Sequence, residues 1–113
     1  MEELLLKIRQ FVNKRDWEKY HSPKNLAIGL SVEAAELLEI FTWLSEEESY
    51  NLNENQLNHV KEEIGDIMIY LTNLADKFGF NPIDCALEKL KLNENKYPVD
   101  LVKGSAKKYT EYE

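Results

Sequence analysis

The sequence predicts an all-α protein, a four-helix bundle, on three observations. Apolar residues recur at helical spacing through four long segments. No stretch carries the apolar–polar alternation of a half-buried strand. The breaks fall at His21-Ser22-Pro23, Gly79, Asn81-Pro82 and Tyr97-Pro98, which are helix start and stop signals. Packing of the amphipathic faces, rather than propensity, is expected to supply the stability.

The first helix is expected over about 2–20, with Leu5, Ile8, Val12 and Arg15 on one side. The second opens after Ser22, which can cap it, with Pro23 in its first turn. It should end near Ser45, with Leu26, Leu30, Leu37, Ile40, Phe41 and Leu44 on one face. Residues 46–54 are acidic and Asn-rich and read as a solvated loop. The third helix spans about 55–78 and stops at Gly79, a good left-handed terminator. Its stripe is Leu57, Val60, Ile64, Ile67, Leu71, Leu74 and Phe78, and its IMIYL run (67–71), apolar almost all round, predicts enclosure on several sides. The fourth helix continues from Asn81-Pro82 to about Asn95. The helical core is thus about 2–97, and 98–113 reads as an irregular tail.

A chain of 113 residues is expected to form one domain, 1–113, small for a deep pocket unless subunits share a site. The formal charge is −7, from 21 acids against 14 bases. That balance argues against a nucleic-acid partner, because phosphate backbones demand a basic patch. It leaves room for a phosphorylated small molecule, since a bound cation can invert the local sign. Cys85 stands alone and reads as a small core residue, which suits a reducing cytoplasm. No segment approaches the ~18 apolar residues of a membrane span, and no signal peptide is evident. A soluble, cytoplasmic protein without a membrane partner is expected.

Four carboxylates carry most of the chemical information. Glu33 lies in the middle of the second helix's apolar face, where an ionised carboxylate is costly unless something pairs with it. Glu36 flanks the same stripe. On the third helix Glu63, Asp66 and Tyr70 line up at i, i+3 and i+7. Acids three apart repel mildly on an isolated helix, so the spacing brings no local gain. If the two helices pack side by side, four oxygen ligands converge, the set a hard divalent cation prefers. An acidic pair at helical spacing is usually only a solvated face; two pairs, one in mid-stripe, call for more. There is no Gly-rich phosphate loop and no Cys/His cluster for zinc, which leaves Mg2+, with Mn2+ as a substitute.

Trp17 and Trp43 each fall at a helix end beside a polar stretch. They read either as aromatic packing or as a stacking wall for a planar base. Asn93, Lys96 and Tyr97 offer an amide, a cation and a phenol in one turn, suited to phosphate or sugar contacts, although surface polar residues look the same. Lys103, Lys107 and Lys108 make the tail locally basic.

With these residues assembled, the chain resembles the MazG-like all-α NTP pyrophosphohydrolases, in their dCTP pyrophosphatase-like branch. The likeness runs from about Arg15 to Tyr112, through RDWEKYHSPKNLAIGLSVEAAELLEIFTWL, KEEIGDIMIYLTNLADKFG and NENKYPVDLVKGSAKKYT. The family's Glu-x-x-Glu and following Glu-x-x-Asp fall on Glu33, Glu36, Glu63 and Asp66. The resemblance implies a four-helix bundle that forms a dimer or dimer of dimers, with sites built partly across the interface. It implies magnesium on those four acids, as metal-ligating and catalytic residues. The implied reaction is hydrolysis of a nucleoside triphosphate between the α and β phosphates, giving the monophosphate and pyrophosphate. A dCTP preference and a role in nucleotide-pool control follow from the branch. Substrate contacts are expected from Trp17, His21, Trp43, Tyr70, Asn93, Lys96 and Tyr97. A first-helix position that is histidine in vertebrate relatives is Ile8 here, which loosens the expected cytosine preference. Two rivals stay open: a pyrophosphohydrolase for another phosphorylated substrate, and a non-catalytic helical interaction module of the same fold.

Overall fold

A computed structural model describes residues 1–104. Its order is α1 (Glu2–Lys14), a 3-10 turn (Glu18–Tyr20), α2 (Pro23–Phe41), α3 (Glu46–Ser49), α4 (Glu54–Asp76), α5 (Pro82–Lys96) and α6 (Val99–Val102). The four long predicted helices are present, and the described residues contain no strand. By internal contacts the chain falls into two compact units, Met1–Phe80 and the part from Asn81 onward.

The first helix stops earlier than the sequence suggests. Asp16 takes a left-handed conformation, φ 53°, just after α1. The Trp17 N–H then donates to Val12 O at 3.1 Å and the Asp16 N–H to Asn13 O at 3.1 Å. This is a Schellman motif with aspartate in the position glycine usually takes, a role that aspartate's short polar side chain tolerates. The apolar contact such motifs often carry is present: Trp17 meets Phe11 edge to face, centroids 5.8 Å apart. Helix termination is therefore what aims Trp17.

Ser22 caps α2 by accepting from the Asn25 N–H at 3.1 Å, with Pro23 in the first turn. The expected loop 46–54 contains one helical turn, α3. Ser45 and Glu48 form a reciprocal capping box there, and it holds the Glu48 carboxyl below its usual range through the bond from the Ser45 backbone. Asn53 and Gln56 start α4 in the same way. Gly79, φ 71°, ends it, with the Phe80 N–H donating to Ala75 O at 3.0 Å. Asn81 caps α5 through the Ile83 and Asp84 N–H groups. The tail is not wholly irregular, since Val99–Val102 form a further turn. Lys107 and Lys108 lie outside the described residues.

Within Met1–Phe80, α2 packs along α4, and α1 also packs on α4. Gly29 faces Tyr70, while Glu33 and Glu36 face Glu63 and Asp66. Residue numbers rise on one helix as they fall on the other, so the pair is antiparallel. Arg9 and Asp76 pin α1 to α4 through Nε–Oδ2 at 2.9 Å and Nη2–Oδ1 at 2.5 Å. The Arg9 guanidinium in turn holds the Asp76 carboxyl below its ordinary value.

The packed face of α4 takes in only part of the predicted apolar stripe, with Val60, Ile67 and Leu74 half-buried. Glu63, Thr72 and Asn73 are buried, whereas Leu57, Ile64 and Phe78 are each more than half exposed. The IMIYL run is not enclosed within one chain: Met68, Ile69 and Leu71 remain exposed. Helix pairing follows the close approach that Gly29 allows to the Tyr70 ring, which turns the polar row of α4 inward. Cys85 is likewise exposed rather than a core residue.

Candidate active site

Each acid pair occupies one turn of its helix, and antiparallel packing stacks the turns opposite one another. One carboxylate oxygen from each of Glu33, Glu36 and Glu63 lies within 4.8 Å of the others. Asp66 stands beside this trio, bordering the same cleft as Glu33 and repelling its charge. Glu33 Oε2 and Glu63 Oε2 are buried without any hydrogen-bond partner. Buried carboxylate oxygens lacking a donor are costly. The Glu33 pKa is accordingly raised to about 7, first by the facing Glu63 carboxyl, then by burial, then by the neighbouring Glu36 and Asp66. His59 Nε2 lies 3.5 Å from Glu63 Oε1, one turn away on α4.

These orphaned oxygens test the fit of a cation. Hard carboxylate donors, crowded enough to share a proton and short of other partners, suit Mg2+ or Mn2+. Glu33, Glu36 and Glu63 offer the donor set, with Asp66 adjacent.

Beside the acids opens a cleft of about 450 Å³. The α1 residues Leu4, Ile8, Phe11 and Val12 form an apolar wall that also carries Lys7, and Trp17, His21, Ile69, Tyr70 and Asn73 line the rest beside the acids. Ile8 is almost fully buried there. Tyr70 sits tight against α2, because a Cβ on Gly29 would fall inside its ring. Apolar walls with a few convergent polar groups are the ordinary make-up of a small-molecule site.

The structure thus gathers Glu33, Glu36, Glu63, Asp66, Trp17, His21 and Tyr70 at one place. Trp43 is not among them. It is 92% exposed and follows the C-terminal end of α2, a helix about 28 Å long whose N-terminal end adjoins His21. Asn93 and Lys96 lie in the last turn of α5 and Tyr97 caps it, its N–H donating to Asn93 O at 2.8 Å; these three belong to the second compact unit. Two polar cleft residues, Lys7 and Asn73, escaped the sequence reading. Asn73 continues the row Glu63, Asp66, Tyr70 by three more residues, and that spacing is its one signal in the sequence.

Comparison with known proteins gives a consistent picture. The model of the MazG-like family matches residues 28–112. The chain is 38% identical over 104 residues to dCTP pyrophosphatase 1 of Bos taurus, covering 90% of this chain and 62% of that protein. It is 35% identical over 104 residues to dCTP pyrophosphatase 1 of Homo sapiens, covering 90% of this chain and 61% of that protein. The chain therefore spans about three fifths of the length of the curated relatives it matches. A crystal structure of a pyrophosphatase from Archaeoglobus fulgidus superposes with a TM-score of 0.82 at 49% identity, covering 87% of this chain and 92% of that one.

Proposed function

The chain belongs to the MazG-like family, and from that premise we propose that it is a magnesium-dependent nucleoside triphosphate pyrophosphohydrolase that prefers dCTP. The observation that carries this reading is the trio of Glu33, Glu36 and Glu63, two of whose buried oxygens lack partners, at the edge of a cleft walled by Trp17 and Tyr70. The matched dCTP pyrophosphatases and the archaeal pyrophosphatase support it.

Glu33, Glu36, Glu63 and Asp66 would hold the cation, which when bound supplies charge neutralisation on the triphosphate and makes water a better nucleophile at neutral pH. The triphosphate lies against the acids, and the nucleoside extends into the apolar cleft. Trp17 offers a π face for the base, and stacking of this kind tolerates any base. Glu36 or Glu63 orients the attacking water and takes its proton. In-line attack at the α-phosphorus then expels pyrophosphate and leaves the monophosphate. Little covalent chemistry falls to the protein; positioning and electrostatics do most of the work.

Self-association belongs to the same proposal. Leu57, Ile64, Met68 and Leu71 leave an apolar face on α4 that a dimer or dimer of dimers would cover. Trp43, far along α2 from the cleft, would then serve the site of another copy. Asn93, Lys96 and Tyr97 remain the candidates for phosphate or sugar contacts. No described helix is long and apolar enough to cross a membrane, and we assign the activity to the cytosolic nucleotide pool.

Steady-state turnover against a panel of nucleoside triphosphates, measuring pyrophosphate separately from phosphate, tests the reading. Pyrophosphate as the sole inorganic product, fastest with dCTP and abolished by chelator, is expected. Phosphate release, or turnover in excess chelator, would overturn it.

A further inference from the structure

The strongest unassigned feature is the pair Asn73–His21. Asn73 is only 9% exposed, and its Nδ2 lies 3.2 Å from His21 Nδ1. Both residues line the 450 Å³ cleft. A carboxamide nitrogen can only donate, so this contact requires a lone pair on Nδ1. The ring proton then sits on Nε2, the nitrogen turned away from Asn73. We propose that Asn73 is a positioning residue that fixes His21 as a neutral Nε2–H donor toward the nucleoside part of the substrate.

Placement along α4 supports the nucleoside end. Asn73 lies seven residues beyond Asp66 on α4, a rise of about 10 Å, so within the cleft whose lining it shares with Glu33 and Asp66 it stands well along the helix from the acids. A nucleotide whose phosphates meet the acids therefore brings its base or sugar to His21. The groups available there for a donor are acceptors: a pyrimidine carbonyl or ring nitrogen, or a sugar oxygen. The burial of Asn73 makes its orientation hard to exchange, since turning the amide would set its oxygen against a lone pair.

This inference rests on the nucleotide reading above, yet its first test does not need turnover. Nitrogen-15 NMR of the His21 ring at about pH 8.5, well above the ordinary imidazole range, reads the tautomer in the unaltered protein. A single Nε2–H form is expected; an Nδ1–H form, which requires the amide to be turned, overturns the proposal. Asn73→Asp presents only acceptors and should convert the ring to Nδ1–H. Asn73→Leu offers neither donor nor acceptor and should release the ring to a mixture of forms. Both variants should raise the KM for dCTP about tenfold, the scale of one hydrogen bond, while kcat falls by no more than about threefold. A merely structural Asn73 would instead lower thermal stability and leave the tautomer as in the parent protein, and that result overturns the positioning role. An inactive parent protein would defeat the nucleotide reading whatever its tautomer, whereas an active one with the wrong tautomer would defeat only this inference.

Discussion

The Tyr70 ring occupies the space that a side chain on Gly29 would need, so that α2 and α4 approach closely one turn from the acids. Gly29 is one turn before Glu33 on α2, and Tyr70 one turn after Asp66 on α4. The close approach therefore sets the register in which the carboxylates face one another, and it fixes one wall of the cleft.

Gly29→Ala should accordingly destabilise the protein by about 1–3 kcal/mol, the usual cost of overpacking, by forcing Tyr70 outward or the helices apart. Thermal melts of Gly29→Ala, Tyr70→Ala and the double variant form a cycle. The double variant should be more stable than the sum of the single effects predicts, because the clash is then gone. Simple additivity would mean that the two residues do not share that space.

Glu36→Gln and Asp66→Asn should keep full helicity by circular dichroism while cutting turnover by about 10²–10³, the scale lost with a key electrostatic group. Wild-type rates in either variant would remove the metal assignment.

The pH dependence follows from the Glu33 proton. Its folded pKa of about 7 stands above the ordinary value of 4.5. Between those two values the folded chain holds a proton that the unfolded chain has lost. The stability contributed by this group is complete below about pH 4.5, declines as pH rises toward about 7, and is level above that. A divalent cation held by these acids would replace the proton. Magnesium should therefore raise Tm most above pH 7, and its affinity should climb through the same window. Calorimetric titrations at about pH 5.5 and 8 check this, and a magnesium affinity that does not change between them would contradict it.

Much of this was legible in the sequence because helix periodicity and capping are local. Ser22-Pro23, Asn53, Gly79 and Asn81-Pro82 set the helix boundaries through short-range hydrogen bonds, and the structure follows them closely. The early end of α1 was hidden because aspartate rarely takes a left-handed conformation, and nothing about KRDW announces it. The turn at 46–49 was hidden by its length, although Ser45 and Glu48 carry the capping-box spacing. The choice of packed face on α4 was least legible. Apolar counting selects the Ile64–Leu71 stripe, whereas the pairing depends on one glycine on another helix. The acids were found because glutamate in an apolar face is anomalous by itself. Asn73 was passed over because its meaning comes from His21, 52 residues away.

Trp43 tests the shared site. At 92% exposure its truncation should leave the fold's stability within about 0.5 kcal/mol, as for most surface changes. If another copy brings it against the base, Trp43→Ala should still cost about 1–3 kcal/mol in kcat/KM. Light scattering should give a dimer or tetramer mass for the parent protein. A fully active monomer, indifferent to Trp43→Ala, would show each site to be complete within one chain.

The measurement that bears most directly on the central claim is hydrolysis of dCTP with magnesium in oxygen-18 water, with the products read by mass spectrometry. Attack at the α-phosphorus places one solvent oxygen in the dCMP and leaves the pyrophosphate unlabelled. Label in the pyrophosphate would mean attack at the β-phosphorus, and labelled inorganic phosphate would mean stepwise removal from the γ end. Either pattern would contradict the account.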